Sequence, residues 1–414
     1  VVIRNAQFKT VAGSVLLTAT LAGDLMALGF RSPDQNAAAT AQGEAFIAQA
    51  DDASAAHYNP AGLTQLAGTH AMAGGYVFMP RYRFDGPNGN DTMDDASFTP
   101  HLYLASDLGQ NNFRFGLAVN VPYGNAVNWD NNGPLKYVVT EASLSVMNIA
   151  PTLAYRINDQ LAVGASLNVY YGRTELNNHV PFAPPLLPAT FPDGQFKFKG
   201  DGEAVGASIG VLWRPAENHS LAAIYRSPFT LDFEGEAQVR NAPAVLPSSM
   251  FAKADARAEI DFPQIAAVGY AYRPTPRWTL EVDIEWTNWE TLDEVVLKSR
   301  NALDGTTIPF HWENSFFYEL GVKYQLSDQW TLRAGYIFSE NSVPEETFSA
   351  MVPDSDRHVV SVGCGYNTER FDLNLGYQFT VGESRTITDS VNAPANGEWS
   401  STSHAFIFSG AVKF

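Results

Sequence analysis

From His70 onward the chain alternates, one residue at a time, between large apolar side chains and small or polar ones. Phe113, Phe115, Leu117, Val119, Val121 and Tyr123 oppose Arg114, Gly116, Ala118 and Asn120. Trp278, Leu280, Val282, Ile284 and Trp286 oppose Thr279, Glu281, Asp283, Glu285 and Thr287. Trp330, Leu332, Ala334, Tyr336 and Phe338 oppose Thr331, Arg333 and Gly335, and the same rhythm runs through Phe371 to Val381. In the first such segment Met72, Gly74, Tyr76, Phe78, Tyr82 and Phe84 oppose Ala71, Ala73, Gly75, Val77, Arg81 and Arg83. Successive side chains of a strand point to opposite faces, so each segment predicts a strand with one greasy and one polar face. Aromatics at both ends of the greasy faces are what the two interfaces of a membrane favour. The charges are expected to point inward, because Arg or Lys facing lipid costs about 2–4 kcal/mol at the midplane.

The connections differ in length along the chain. Short ones are predicted near Leu108–Asn112, Asn158–Gln160, Pro215–His219, Pro274–Pro276, Ser327–Gln329 and Asn367–Glu369. Long ones are predicted at Asp85–Ser97, Gly124–Thr140, Asn177–Gly202, Arg240–Arg257, Lys298–Phe310, Glu340–Asp356 and Thr388–Ser401. Short turns at one end and long loops at the other is the outer-membrane arrangement, and an even strand number lets an antiparallel barrel close. Closure is required, since a free strand edge in lipid leaves backbone groups unsatisfied. The expected fold is all-β, an antiparallel transmembrane β-barrel of about 14 strands over residues 70–414.

Before the strands the pattern changes. Residues 28–69 hold no sustained period, only an Ala-rich stretch and turn formers, ending in Ala50-Asp51-Asp52-Ala53 and Asn59-Pro60-Ala61-Gly62. About 40 such residues are too few to build a core of their own. They are expected to form a small N-terminal helical hatch that plugs the lumen. Asn59-Pro60-Ala61 is expected as a turn in that plug and as a gating element against the third strand. Residues 1–27 place Arg4 and Lys9 before an apolar stretch and a small-residue exit, which predicts a cleaved secretory leader.

Composition narrows the class. Hydrophobic residues make up 45% of the 414, yet no run approaches the roughly 20 apolar residues of a spanning helix. The net charge of −18 disfavours a nucleic-acid partner. One cysteine, Cys364, permits no internal disulfide. Export without a disulfide framework points to a bacterial envelope.

Taken together, the hatch signature resembles that of the FadL-type outer-membrane transporters for long-chain fatty acids and their toluene- and xylene-transporting relatives. Tyr225-Arg226-Ser227 with Asp232-Phe233-Glu234-Gly235 is similar to that family's seventh strand. Val343-Pro344 and Pro353-Asp354-Ser355-Asp356-Arg357 resemble its sixth long loop and twelfth strand. The resemblance implies capture of a hydrophobic small molecule at the outer loops, an apolar lumen pocket, and sideways release through an inward kink of the third strand. Pro122-Tyr123-Gly124 falls at the kink, and a Pro and a Gly there suit a strand that stops pairing regularly, as well as one that simply ends. Arg173 falls at a family arginine and is the candidate head-group contact. Glu175, Asn177 and Asn178 are not basic, and Thr306 to Phe310 holds no lysine. Fatty acids and uncharged aromatic hydrocarbons therefore both remain open.

Other chemistry is thin. Gly206-Ala207-Ser208-Ile209-Gly210 matches a nucleophile-elbow pattern, but strand alternation continues where that motif needs a turn and a helix, so a lipase is disfavoured. The histidines show no metal-ligand spacing. Glu281, Asp283 and Glu285 share one face and are expected in a lumen network with Arg81, Arg83, Arg114 and Arg333. Passive transport is expected, with no enzyme activity, cofactor or metal, through a monomer surrounded by outer-membrane lipid and lipopolysaccharide. The alternative is a porin-like channel for polar solutes.

Overall fold

A computed structural model describes residues 29–183 and 190–414; the expected leader lies outside them. Fourteen antiparallel strands form a closed barrel. They are β1 Thr69–Gly86, β2 Ser97–Ser106, β3 Phe113–Asn128, β4 Glu141–Arg156, β5 Leu161–Val180 and β6 Gly194–Ala216. β7 is His219–Arg226 continued by Phe229–Arg240, and β8 is Ala254–Phe262 continued by Ile265–Thr275. Then follow β9 Trp278–Thr287, β10 Ser315–Gln325, β11 Trp330–Ser339, β12 Arg357–Asn367, β13 Phe371–Ile387 and β14 Gly397–Lys413. β7 and β8 break at Ser227-Pro228 and Pro263-Gln264, where proline withholds a ladder donor. The seam closes between β1 and β14, from His70 opposite Lys413 to Asp85 opposite Glu398.

The short turns stand where alternation stops. Several long loops are shorter than expected, because the strands run on past the membrane. β5 has 20 residues and β6 has 23, where roughly 9–11 suffice to cross. A ribbon of Glu294–Ser299 and Thr306–Pro309 extends this rim.

One expected orientation is reversed. Met72, Tyr76, Phe78, Tyr82 and Phe84 of β1 face the lumen and are buried, while Arg81 and Arg83 are exposed on the outer face. The period was right and the side was wrong, since β1 carries bulky apolar groups on the face that packs against the hatch. The two arginines sit at the long-loop end of β1, opposite Thr402 and Ser400, toward the rim of the barrel.

The hatch occupies the bore through α1 (Ala37–Thr40), α2 (Ala55–Tyr58) and a 3₁₀ turn, Pro60–Gln65. Its alanines, among them Ala37, Ala39, Ala48, Ala55 and Ala61, are fully buried. Close approach depends on wall glycines. A Cβ on Gly335 would overlap the backbone of Gln42 and Gly43, one on Gly164 the backbone of Pro60, and one on Gly210 the Asn59 side chain. Small residues on both sides thus let plug and wall meet at van der Waals distance.

Candidate functional site

The hatch is tied to the wall by a ladder of carboxylates on β9. Asp283 Oδ2 accepts the amide N–H groups of Phe46 at 2.9 Å and Ile47 at 3.0 Å. Glu281 Oε1 accepts those of Ala48 at 2.7 Å and Gln49 at 3.2 Å. Glu285 Oε2 accepts from Arg31 Nη2 at 2.7 Å. The three acids do face the lumen, but the partners expected for them are corrected. Arg114 donates to main-chain carbonyls, including Gln110 and Leu66, at the short-turn end. Arg333 donates to Asn374. Arg81 and Arg83 point outward. The amides of a turn are natural partners for a carboxylate, but they leave no mark in the side-chain pattern.

The predicted hatch residues hold the plug together. Asp52 accepts from Ser54 and from Asn36 Nδ2. Asp51 pairs with Lys323 of β10 at 2.7 Å. Burial works against the Asp51 charge, but Lys323, with Arg333 and Arg273 beyond it, outweighs that and holds the carboxyl below its usual range. Asn59 caps the 3₁₀ turn, accepting from the Ala61 N–H at 3.1 Å. Its amide donates to Ile47 C=O at 2.9 Å and to Val211 C=O on β6 at 3.2 Å. Pro60 follows at the first position of the turn, and Gly62 lies where a Cβ would strike Ala50. Asn59 and Pro60 themselves meet β5 and β6, and the turn reaches the third strand through Leu63, against Gly116.

The third strand behaves as a kink rather than an end. β3 continues through Pro122-Tyr123-Gly124 to Asn128, with a register shift against β4 between Asn120 opposite Asn148 and Tyr123 opposite Val146. One extra residue reverses the alternation beyond it, so Tyr123, expected on the outer face, is buried inside at 3% exposure. β2 and β3 pair only from Leu102 opposite Val119 to Ser106 opposite Phe115. Beyond that, Ser97 to His101 stays with β1 and Tyr123 to Asn128 with β4. The wall ladder is open between them.

The first described hatch residues cover this opening, and sequence reasoning missed them. Ser32 N–H donates to Pro122 C=O at 2.9 Å, and Gly124 N–H donates to Phe30 C=O at 2.8 Å. Gln35 Nε2 donates to Val121 C=O at 3.0 Å. The available signal was Gly29-Phe30-Arg31, an aromatic and a cation in an otherwise small-residue segment. Gly29 has φ +64°, and a Cβ there would strike Trp312.

Phe30 stands at the foot of an apolar cleft that opens between the long loops. Val138, Leu144, Leu176, Phe198, Leu297 and Phe310 are among its lining residues, and its volume is about 430 Å³. The Phe30 ring lies 4.9 Å from Trp312 and 6.1 Å from both Trp289 and Phe310. A second aromatic group borders the wall opening. Tyr123 is 4.9 Å from Phe262, which stacks on Phe229 at 4.7 Å, and Phe229 stacks on Tyr170 at 3.8 Å. Arg173 belongs to neither group: it is exposed on the outer face of β5, so it cannot meet a head group in the lumen. Ser208 sits in unbroken β6, accepting from Asn168, without the turn and helix of a nucleophile elbow.

The chain is thus a closed, plugged β-barrel of the outer-membrane type with an apolar cleft at its long-loop end. The profile of the outer membrane protein transport protein family (OMPP1/FadL/TodX) matches residues 18–414, and the chain belongs to that family. It is 23% identical to a long-chain fatty acid transport protein of Salmonella typhi over 368 residues, 82% of this chain and 84% of that one. The crystal structure of a Pseudomonas aeruginosa FadL homologue superposes with a TM-score of 0.84 at 20% identity, covering 93% of this chain and all (100%) of that one. The Pseudomonas putida toluene transporter TodX superposes with a TM-score of 0.72 at 18% identity, covering 95% and 100%. The chain is accordingly a β-barrel of the bacterial outer membrane whose relatives are transport proteins, not enzymes.

Proposed function

We propose that the protein carries hydrophobic small molecules, long-chain fatty acids or aromatic hydrocarbons, passively across the outer leaflet and releases them sideways through the β2–β3 opening. The observation that supports this is an apolar cleft between the long loops with Phe30 at its foot, in one hydrophobic core with the Tyr123–Phe229–Phe262 cluster beside the unpaired wall. Each CH₂ moved from water onto such a surface contributes roughly 0.8 kcal/mol, so capture requires no cofactor or energy source. Release requires Phe30 to Ser32 to leave the β3 edge that they cover. One chain closes the barrel, so a monomer suffices. Arg81 and Arg83, outward at the rim, meet the phosphates of lipopolysaccharide.

The test is uptake of labelled hexadecanoate and toluene by cells lacking their own transporter. Gly124→Trp fills the opening, since a Cβ at Gly124 meets only Leu144 C=O at 3.6 Å, and Asn59→Ala removes the hatch cap. Both are expected to cut uptake with the barrel still assembled. Unchanged uptake in both would remove the gating role. Ion conductance without hydrophobic uptake would favour a porin.

A further inference from the structure

Arg226 is a buried cation that makes no close ion pair, the buried Glu319 acting on it only from further away. It ends the first half of β7 and is 9% exposed. Its Nη2 donates to His57 C=O at 2.7 Å, and among the described residues no carboxylate lies within ion-pair distance of it. At similar depth, Arg31 is matched by Glu285 and Arg357 by Asp354, while Arg114 turns to main-chain carbonyls at the short-turn end. A lumen guanidinium without a close carboxylate can pair with an anion that enters beside it.

The surroundings show what kind of anion. Arg226 stands opposite Ser208 of β6. Asn168 Nδ2 of β5 donates to Ser208 Oγ at 2.8 Å, and Asn148 Nδ2 of β4 donates to Asn168 Oδ1 at 3.3 Å. Asn148 is opposite Asn120 of β3, whose Nδ2 lies 2.9 Å from Nδ1 of His57. One buried polar side chain per strand thus forms a track from Arg226 to the bulge where β3 parts from β2. The Oδ1 atoms of Asn120 and Asn148 are buried and receive no donor, places for the water or hydroxyl that accompanies a polar head. Directly beyond this track stand the apolar rings of Tyr123, Tyr170, Phe229 and Phe262. A narrow void there touches Arg226, Arg31, Asn148, Asn168 and Ser208 on one side and Pro122, Tyr123 and Tyr170 on the other. Polar floor and aromatic ceiling meet at the wall opening.

We propose that Arg226, with the Asn120–Asn148–Asn168–Ser208 track, seats the carboxylate of an amphiphile whose tail lies among these rings, so that the substrate class is a long-chain acid rather than an uncharged hydrocarbon. This rests on the uptake reading above. A guanidinium offers a carboxylate two parallel N–H donors, which an ester or an arene cannot use. Arg226, rather than Arg173, then provides the head-group contact.

The experiment is equilibrium binding of hexadecanoate and of methyl hexadecanoate to the full chain in lipid nanodiscs, for wild type, Arg226→Gln, Arg226→Lys and Asn168→Leu. Heat-modifiable mobility on gels confirms that each barrel is folded. Loss of a charge-assisted hydrogen bond is expected to weaken acid binding about ten- to hundredfold in Arg226→Gln, with ester binding unchanged. Arg226→Lys is expected to recover part of it, and Asn168→Leu to lose acid affinity selectively. Equal acid and ester affinity in wild type, unaffected by Arg226→Gln, would overturn the head-group site and leave the uptake reading standing. An equal loss for both probes would make Arg226 a merely structural residue and also overturn it. If wild type binds neither probe, the uptake reading itself fails.

Discussion

Arg31 and Tyr123 face each other in an isolated antiparallel bridge, joining the first described turn of the hatch to the strand that leaves the wall ladder. The same Arg31 is held from the other side by Glu285 on β9, across the lumen. The cover over the wall opening is therefore clamped between a backbone bridge and a buried ion pair.

Glu285→Gln breaks the ion pair while keeping the shape. Removing one partner of a buried pair costs roughly 3–5 kcal/mol, because the other charge is left unpaired. The amides of Ser32 and Gly124, which bond across the bridge, are expected to lose hydrogen-exchange protection. Protection equal to wild type would show that the clamp lies elsewhere.

Glu281→Ala combined with Asp283→Ala strips the acceptors from the amides of Phe46, Ile47, Ala48 and Gln49. Each buried donor left unsatisfied costs about 1–3 kcal/mol. The plug is expected to loosen from β9, giving ion conductance in planar bilayers well above wild type. A variant as silent as wild type would mean that the wall glycines alone retain the hatch.

Deleting Pro122 removes the extra residue of the bulge. Strict alternation then carries Asn120, Tyr123 and Asn125 along the lumen face without a bulge, straightening β3 so that it can continue along β2. Hydrophobic uptake is expected to fall to that of cells without the protein, while the barrel still resists unfolding in detergent. Full uptake in this variant would rule out the sideways route.

The hatch also carries a pH response. Burial pushes the Asp34 carboxyl up to about 6, countered by hydrogen bonds and by Arg31. The folded value lies above the unfolded one, so the protonated acid favours the packed hatch. That contribution is complete below about pH 4 and fades as pH rises through about 6. A spin label on the hatch is expected to gain mobility between about pH 5 and 7 in wild type and to stay constant in Asp34→Asn. A response retained in Asp34→Asn would assign it to another group.

Much of the fold could be read directly from the residues. A period of two over a whole strand survives any tertiary context, so β9, β10 and β13 present to lipid the faces that their alternation predicts. The segment before β1 could be read as a plug because its small residues cannot form a core alone. β1 was misjudged because both of its faces offer apolar groups, and periodicity fixes the existence of two faces without saying which is inside. Tyr123 was misplaced because a bulge, invisible to composition, resets the alternation.

The amino-acid order by itself determined a closed membrane barrel, its hatch and its family, since these depend on local periodicity and on the need to satisfy every backbone group in lipid. Only the tertiary structure decided what the charges do. Glu281 and Asp283 hold main-chain amides, which have no sequence signature, and Arg226 stands unpaired beside the wall opening. Partnership across a lumen depends on distances between strands far apart in the chain, and those distances exist only once the barrel has closed.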